Sequence, residues 1–305
     1  MDKPYVGGVL FALAGSILFS MKPVLIKLVY NIQDVDTIHL LLLRMLMSLP
    51  FYIGILFYIR QERGLFELSS QTCVALALLG FIGFYVASFL DFSGLKYITA
   101  SLERVIIFLN PTIVLLLSAV FFKRKVNSKQ WVAIALTYSG IIVAFASSDM
   151  FKASENIVTG ATLVFLSAFF YAIYLIGSEI YLRKIGTLEF TCYTMIVAFT
   201  CIAIHYLCTS PIDAVLTLDH RVYWYTFVMA IFSTLFPSFL FAEGIKRMGA
   251  PNGSIVGGIG PISTIIFAVF LLNETISPMQ MAGTLLVIGG VVAISYESKK
   301  KRAQV

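Results

Sequence analysis

The chain has 305 residues, of which 59% are hydrophobic and only 12% are charged, and its mean hydropathy is +0.91. This composition excludes a soluble domain, whose surface requires more polar residues, and it predicts an integral membrane protein. The formal net charge of +6 is distributed unevenly along the chain and therefore carries information about orientation in the membrane.

Apolar stretches of about 20 residues, each long enough to cross about 30 Å of hydrocarbon, follow one another from Tyr5 to Ser295. Continuous apolar runs fill them, which favours helices over the alternating pattern of a β-barrel. The first span lacks a basic leading segment and a cleavage site, so we expect it to be retained. The sequence predicts an all-α integral membrane protein with ten transmembrane helices. The predicted spans are 5–29, 37–59, 72–91, 100–122, 129–146, 159–182, 187–209, 222–245, 250–272 and 278–295.

Lysine and arginine residues between the spans predict the orientation of the protein. One set of alternate loops and tails contains fifteen of them and the other set contains three. Because basic loops stay in the cytoplasm, both termini are predicted to be cytoplasmic, in a plasma membrane of the bacterial inner-membrane type. The basic tail, which includes the run KKKR at 299–302, is expected to contact anionic membrane lipids rather than nucleic acid.

The two halves of the chain are related by a constant difference in residue number, which we call the repeat offset. This offset relates Gly94 to Gly244. Because each half contains five predicted spans, an odd number, the second half must enter the membrane upside down. The predicted units are two inverted five-helix repeats, 1–148 and 149–296, followed by the tail 297–305. Such halves can rock to expose one central site to either side in turn, which is alternating access. The residues that recur without a gap are Gly94 and Gly244, Lys96 and Lys246, Ala100 and Ala250, Pro111 and Pro261, Gln130 and Gln280, and Gly140 and Gly290.

With these repeats, the chain resembles the drug/metabolite transporter superfamily, specifically its EamA-type ten-helix carriers. The resemblance covers nearly the whole chain and implies transport of a small metabolite by a protein that is not an enzyme. The first half departs from the pattern because Arg124 stands where the second half has Glu274. The resemblance rests on GLKYITAS with NPTIVLLLSAVFFKRKVNSKQWVAIALTYSGIIV, and on GIKRMGAPN with GPISTIIFAVFLLNETISPMQMAGTLLVIGGVV, where Pro261, Glu274, Gln280, Gly283 and Gly290 hold the matching places.

Ionisable residues inside the spans are the candidates for a functional site, because each costs about 2.5–3.5 kcal/mol on insertion scales and usually faces a cavity or a partner. We expect one cluster in the external part of the first half. Glu103 and Arg104 are consecutive and point to different sides of a helix, so each is expected to need a partner on another helix. Arg104 is predicted to pair with Asp91, and Glu103 with Lys22 or Arg44. The members of the predicted cluster are Lys22, Lys27, Arg44, Asp91, Glu103 and Arg104.

Several roles for this cluster remain open at this stage. It could form a structural ion-pair lock that closes an outer gate, or its side chains, especially Lys27, could extend to the lipid headgroups. Alternatively, its four cations exceed its two anions by two charges, so an anionic group of the substrate, such as a carboxylate or phosphate, could bind there. Asp91 or Glu103 could instead carry a coupling proton.

Polar and kinked positions near the middle of the spans are further candidates. Asn110-Pro111 and Gly260-Pro261 lie about halfway along the fourth and ninth spans, where proline removes a hydrogen bond and kinks a helix. The freed carbonyls and Asn110 are then expected to face the substrate. Tyr171 and Tyr174 of the sixth span, with Ser20 of the first, are weaker candidates for the cavity wall.

The sequence motifs of enzymes and pumps are missing, and the three histidines lack metal-ligand spacing, so neither a cofactor nor a metal site is expected. We interpret the chain as a secondary transporter of a small polar or amphipathic, amino-acid-like solute; the resemblance alone implies an exporter, hence efflux. Two alternatives stay open, an intramembrane enzyme acting on a lipid-like substrate and a non-transporting interaction protein. A homodimer through the fifth and tenth helices is also considered.

Overall fold

The computed structural model describes residues 3–63, 68–121, 128–146, 155–257, 260–279, 281–286 and 288–289. Within these residues every regular element is a helix, short turns and loops join the helices, and no strand is present. Seven described segments are long and apolar enough to cross a membrane, so the protein is a multi-pass membrane protein. These segments are Val6–Ile32, Thr37–Glu62, Ser70–Leu95, Ala100–Phe121, Asn156–Ile185, Thr187–Thr209 and His220–Met248.

The helices follow the predicted spans closely. The first nine predicted spans overlap described helices, whereas the tenth, 278–295, is described only in part, so a total of ten stays a prediction. The helices are α1 Lys3–Phe19, α2 Lys22–Ile32, α3 Thr37–Arg63, α4 Ser70–Gly80, α5 Ala87–Leu95, α6 Ala100–Ile107, α7 Asn110–Phe121, α8 Ser128–Ala146, α9 Glu155–Ile185, α10 Thr187–Thr209, α11 His220–Ala230, α12 Phe236–Met248, α13 Ala250–Val256 and α14 Gly260–Leu272.

Several spans are interrupted within the membrane, and the interruptions recur at the repeat offset. A π-helix, Phe81–Val86, joins α4 to α5, and a second π-helix, Ile231–Leu235, joins α11 to α12. Likewise α6 gives way to α7 at Asn110, and α14 begins at Gly260. Irregular backbone at membrane depth is tolerated only where it is buried in protein or lines a cavity, so these positions mark the interior of the bundle.

Two close helix crossings join the first half of the chain to the second. A β-carbon added to Gly94 of α5 would lie 2.8 Å from the carbonyl oxygen of Gly160 in α9. A β-carbon added to Gly244 of α12 would lie 2.8 Å from the β-carbon of Ala12 in α1. Gly94 and Gly244 are equivalent in the two halves, so the same small residue permits the same kind of close approach in each.

Candidate functional site

A cavity of about 130 Å³ lies where the four recurring helix interruptions meet. Both π-helices, the end of α6 and the start of α14 contribute to its wall. The lining residues are Ser16, Phe19, Lys22, Arg44, Gly83, Phe84, Ala87, Ser88, Arg104, Ile107, Phe108, Asn110, Pro111, Ser167, Tyr171, Leu175, Met195, Ser233, Thr234, Phe241, Ser254, Gly257 and Gly260.

Many of the lining residues occupy equivalent positions in the two halves. At five positions, both the residue of the first half and its equivalent in the second half line the cavity. The side chains at these positions differ, so the wall is similar in backbone and dissimilar in chemistry. The pairs are Gly83 and Ser233, Phe84 and Thr234, Arg104 and Ser254, Ile107 and Gly257, and Asn110 and Gly260.

Lys22 and Asp91 form an ion pair at the cavity wall. Lys22 Nζ donates to Asp91 Oδ2 across 2.6 Å, and the Asp91 side chain is only 1% exposed. The predicted pairing of Asp91 with Arg104 is therefore wrong. Its physical cause is the break between α1 and α2, which makes Lys22 the first residue of a new helix and directs its side chain towards α5.

Arg104 lies beside Glu103 rather than a carboxylate on another helix. Arg104 Nε is 3.5 Å from Glu103 Oε2, and an Arg104 Nη2–H donates to the carbonyl oxygen of Phe19. That carbonyl is free because Phe19 ends α1. The predictions that consecutive residues could not pair, and that Glu103 would pair with Lys22 or Arg44, are wrong. Glu103 is fully buried, and neither of its carboxylate oxygens accepts a hydrogen bond within the described part of the chain.

Arg44 is the cation of this group that lacks a carboxylate partner among the described residues. Its side chain lies in the cavity wall and is 3% exposed, and Nε and Nη2 have no hydrogen-bond partner there. The guanidinium stacks over the ring of Phe92, 4.8 Å from the ring centroid, which is a cation–π contact. A buried guanidinium with unused donors is a binding group for an anion.

Lys27 does not belong to the cavity. It is not among the lining residues, and the carboxylate that acts on it electrostatically is that of Glu274. The predicted excess of two positive charges thus becomes an excess of one at the cavity: Lys22, Arg44 and Arg104 against Asp91 and Glu103. Among the described residues, no group of three or more histidine, cysteine or acidic residues is arranged to hold a metal ion.

The remaining predicted residues divide between the wall and the layer behind it. Asn110, Pro111 and Tyr171 line the cavity, and Asn110 Oδ1 accepts no hydrogen bond from the described residues. Tyr174 lies outside the wall and stacks on Tyr171, with ring centroids 5.5 Å apart. Pro261 is the second residue of α14, as Pro111 is of α7. Both prolines follow a helix interruption, where the missing N–H costs least.

Sequence reasoning missed Ser233 and Thr234, whose buried hydroxyls line the cavity without a hydrogen-bond partner among the described residues. A signal for them existed, because the repeat offset continues upstream of Gly94 and places both residues opposite Gly83 and Phe84. Two hydroxyls at neighbouring positions of a span did not stand out on their own, since serine and threonine commonly bond the preceding turn of a helix.

Two carboxylates cap the N-termini of two helices that contribute to the cavity wall. Glu274 accepts from the backbone N–H groups of Ala100 and Ser101 at 3.0 and 3.3 Å, and from the Ser101 hydroxyl at 2.6 Å. Glu179 accepts from the N–H of Ala250 at 2.9 Å. Ala100 begins α6 and Ala250 begins α13, again at equivalent positions of the two halves. Each of these two helices therefore has a carboxylate at its N-terminus, where the helix dipole stabilises a negative charge.

The fold and the internal cavity define a multi-pass helical membrane protein whose buried site is built by two halves of the chain. The model of the EamA-like transporter family matches residues 6–146 and, a second time, residues 158–296. The chain belongs to the EamA-like transporter family. It is a membrane transporter. The sequence resemblance of its two paired segments to EamA-type carriers led to the same family.

Relatives and a solved structure agree with this assignment. The chain is 26% identical over 301 residues to an uncharacterized transporter, YcbK, of Bacillus subtilis (strain 168), covering 96% of this chain and 94% of the relative. It is 22% identical over 278 residues to an uncharacterized transporter of Archaeoglobus fulgidus, covering 91% of each. A solved structure with 14% identity has a TM-score of 0.69 and covers 96% of this chain and 98% of that chain, which shows the fold alone.

Proposed function

We propose that this protein is a secondary transporter that moves a small polar or amphipathic, amino-acid-like metabolite by alternating access. In this proposal the ten spans form two inverted five-helix repeats, residues 1–148 and 149–296, in a bacterial inner membrane with both termini in the cytoplasm. Transport runs outwards, as an exporter. The direction and the solute class rest on the family resemblance, and the topology rests on the distribution of basic residues.

The observation that carries the proposal is the paired wall of the cavity. Five lining positions of the first half recur at the equivalent positions of the second, and both π-helices and both helix interruptions meet there. Interrupted helices that meet at a repeat interface build the substrate sites of many secondary transporters. The close crossings at Gly94 and Gly244, each between the two halves, are surfaces on which one half can move against the other.

An intramembrane enzyme has less support. Asp91 and Glu103, the carboxyl groups it would use as acid or base, do not line the cavity, and Asp91 is occupied by Lys22. A non-transporting interaction protein would give no reason for buried polar groups that face an internal space. Neither alternative uses the duplicated wall.

Transport is tested by counterflow in liposomes that contain the purified protein, screening amino acids, organic acids, amines, sugars and nucleotides. We expect one class to exchange in a saturable way, and a pH gradient to reveal whether a coupling proton moves with it. A control uses a protein without native cysteines, in which Gln33 and Asp219 are replaced by cysteine. These two residues lie at the ends of two spans, where the backbone N–H of Asp219 donates to the side-chain oxygen of Gln33 across 3.0 Å. Cross-linking this pair should stop exchange, and reduction should restore it. Saturable exchange that survives the cross-link would contradict alternating access, and the absence of exchange for every class would contradict transport.

A further inference from the structure

The charges around the cavity are almost balanced, and the imbalance is located at one residue. Lys22 is 2.6 Å from Asp91, and Arg104 is 3.5 Å from Glu103. Arg44 has neither an ion pair nor a hydrogen bond from Nε or Nη2 among the described residues. Arg44 is therefore the cation left to bind an anionic group of a ligand, and its one free edge suits a single anionic group. No carboxylate is among the described lining residues, so the ammonium group of a cation or a zwitterion would have no acidic partner there.

The geometry of Arg44 favours a carboxylate as that charge. One edge of the guanidinium carries Nε–H and an Nη2–H side by side, which is the fork that binds two oxygens of one carboxylate. Its face is already covered by Phe92 at 4.8 Å, so the unused donors are at the edge. Burial at 3% exposure removes competing water and strengthens such a bond.

The rest of the wall fits an apolar body with one additional polar group. Phe19, Phe84, Phe108, Tyr171 and Phe241 all contribute aromatic rings to the cavity. Pockets that are mostly aromatic, with a few placed polar groups, bind ligands with an apolar frame.

Two hydroxyls supply the additional polar contact from the second half of the chain. Ser233 and Thr234 are buried in the π-helix Ile231–Leu235, and neither hydroxyl oxygen is hydrogen-bonded within the described residues. Buried hydroxyls without a protein partner can bond a hydroxyl or keto oxygen of a ligand.

We infer that the substrate of this cavity is a small monocarboxylate with an apolar, ring-sized body, whose carboxylate binds the edge of the Arg44 guanidinium. Ser233 and Thr234 bond a hydroxyl or keto group where the substrate carries one. This inference rests on the proposed transport function and narrows its solute class from amino-acid-like molecules to monoanions.

A series of ligands that share one ring and differ in charge tests the inference. Thermal unfolding of the detergent-purified protein is measured with phenylacetate, 2-phenylethanol, phenethylamine, phenylalanine and phenyl phosphate, and with acetate to remove the ring. A ligand that binds only the folded protein raises the unfolding midpoint, and at equal ligand concentration the tighter ligand raises it more. We expect phenylacetate to raise it most, acetate to raise it less, and the other four to have little effect. The same series is then used in liposome counterflow.

Variants of Arg44 assign the effect to that residue. Arg44→Gln should weaken phenylacetate binding by about 30-fold or more, and Arg44→Lys by about 10-fold, because a lysine keeps the charge and loses the fork. The matched control is Arg60→Gln on the same helix, where the guanidinium is exposed and donates to the Tyr193 hydroxyl. Arg60→Gln should bind like the wild type. If Arg44→Gln does not fold, the Arg44→Lys result decides.

The possible outcomes separate this inference from the transport function. Equal stabilisation by phenethylamine, 2-phenylethanol or phenylalanine, or wild-type binding of phenylacetate by the folded Arg44 variants, would overturn the monoanion inference. Exchange of some other solute class in liposomes would then leave the transport function intact. If no member of the series binds but another class exchanges, the inference alone fails. If nothing binds and nothing exchanges across the wider screen, both fail.

Discussion

The two halves of this transporter place their backbones alike and their side chains differently. At matched positions of the cavity wall, the first half contributes Phe84, Arg104 and Asn110, where the second contributes Thr234, Ser254 and Gly260. The π-helices and helix interruptions, by contrast, recur at the same places. The difference shows that the two halves contribute similar backbone and different side chains to one cavity wall. Under the proposed function, the side chains that do not repeat would recognise the substrate.

The charged side chains of the first half make it the less favourable half to bury. Five ionisable groups lie at or just behind the wall, and each requires compensation within the membrane. At the matched positions the second half has residues such as Phe241, opposite Asp91, that require none. The comparison therefore predicts larger losses from substitutions that disturb elements of the first half, and the four predictions below are ordered by the size of the expected loss.

The largest effect is expected for Asp91→Asn. The substitution leaves Lys22 charged and unpaired, which should lower the free energy of unfolding by about 3 kcal/mol. This value is the lower end of the range for a buried ion pair, and we choose it because the Lys22 side chain remains 18% exposed. Thermal unfolding in detergent measures the loss. Combining Asp91→Leu with Lys22→Met should restore most of it. A loss below about 1 kcal/mol would place the pair among surface ion pairs and contradict its role in the wall.

Gly83→Ala should follow, because the added β-carbon would overlap the ring of Tyr174. Overpacking of this kind costs about 1–3 kcal/mol, and moving Tyr174 also displaces Tyr171, which stacks on it in the wall. Stability and ligand binding should therefore both decrease. Gly54→Ala is the matched control, since nothing lies within 4 Å of that position. Equal effects of the two substitutions would contradict the packing of the first π-helix.

The two capping carboxylates allow a direct comparison between the halves. Glu274→Ala removes three hydrogen bonds at the start of α6, and Glu179→Ala removes one at the start of α13. We expect each to lower stability by about 1 kcal/mol, as for the loss of a helix cap, with the larger effect for Glu274. Thermal unfolding of both variants measures the difference. A larger loss for Glu179→Ala would reverse the expected order.

The smallest effect on stability is expected for Ser233→Ala combined with Thr234→Val. These hydroxyls have no partner in the described part of the chain, so their removal should leave the unfolding midpoint unchanged or slightly higher. Binding of a ring-bearing monocarboxylate with a hydroxyl or keto group should weaken, whereas phenylacetate binding should not. Weakened binding of both ligands, with a lower midpoint, would show that these residues support the fold instead.

The architecture was predicted well from the sequence because membrane spans are encoded by long apolar runs. The positions of the seven described apolar segments and the charged part of the cavity wall followed from hydropathy and from the rarity of charge in the membrane. The presence of Lys22, Arg44 and Arg104 at one cavity needed only the topology and the cost of burying a charge.

The ion pairs and the irregular helices were not predictable in the same way. Whether Asp91 pairs with Lys22 or Arg104 depends on where α1 breaks and on which way long side chains fold, and neither is encoded by hydropathy. The carbonyl of Phe19, which competes for Arg104, becomes available only through that break. The π-helices leave no periodic signal of their own, so only the repeat offset could have pointed to Ser233 and Thr234 before the structure.

The most direct test of alternating access at this cavity is the reactivity of a single cysteine from each side of the membrane. Ser254→Cys, at a lining position, is placed in a protein without Cys73, Cys192, Cys201 and Cys208, and sealed vesicles of both orientations are treated with a membrane-impermeant maleimide. We predict that Ser254→Cys is labelled from either side of the membrane. When Gln33→Cys and Asp219→Cys are also present and are cross-linked first, we predict labelling from only one side. Labelling from the same single side in every condition would contradict alternating access.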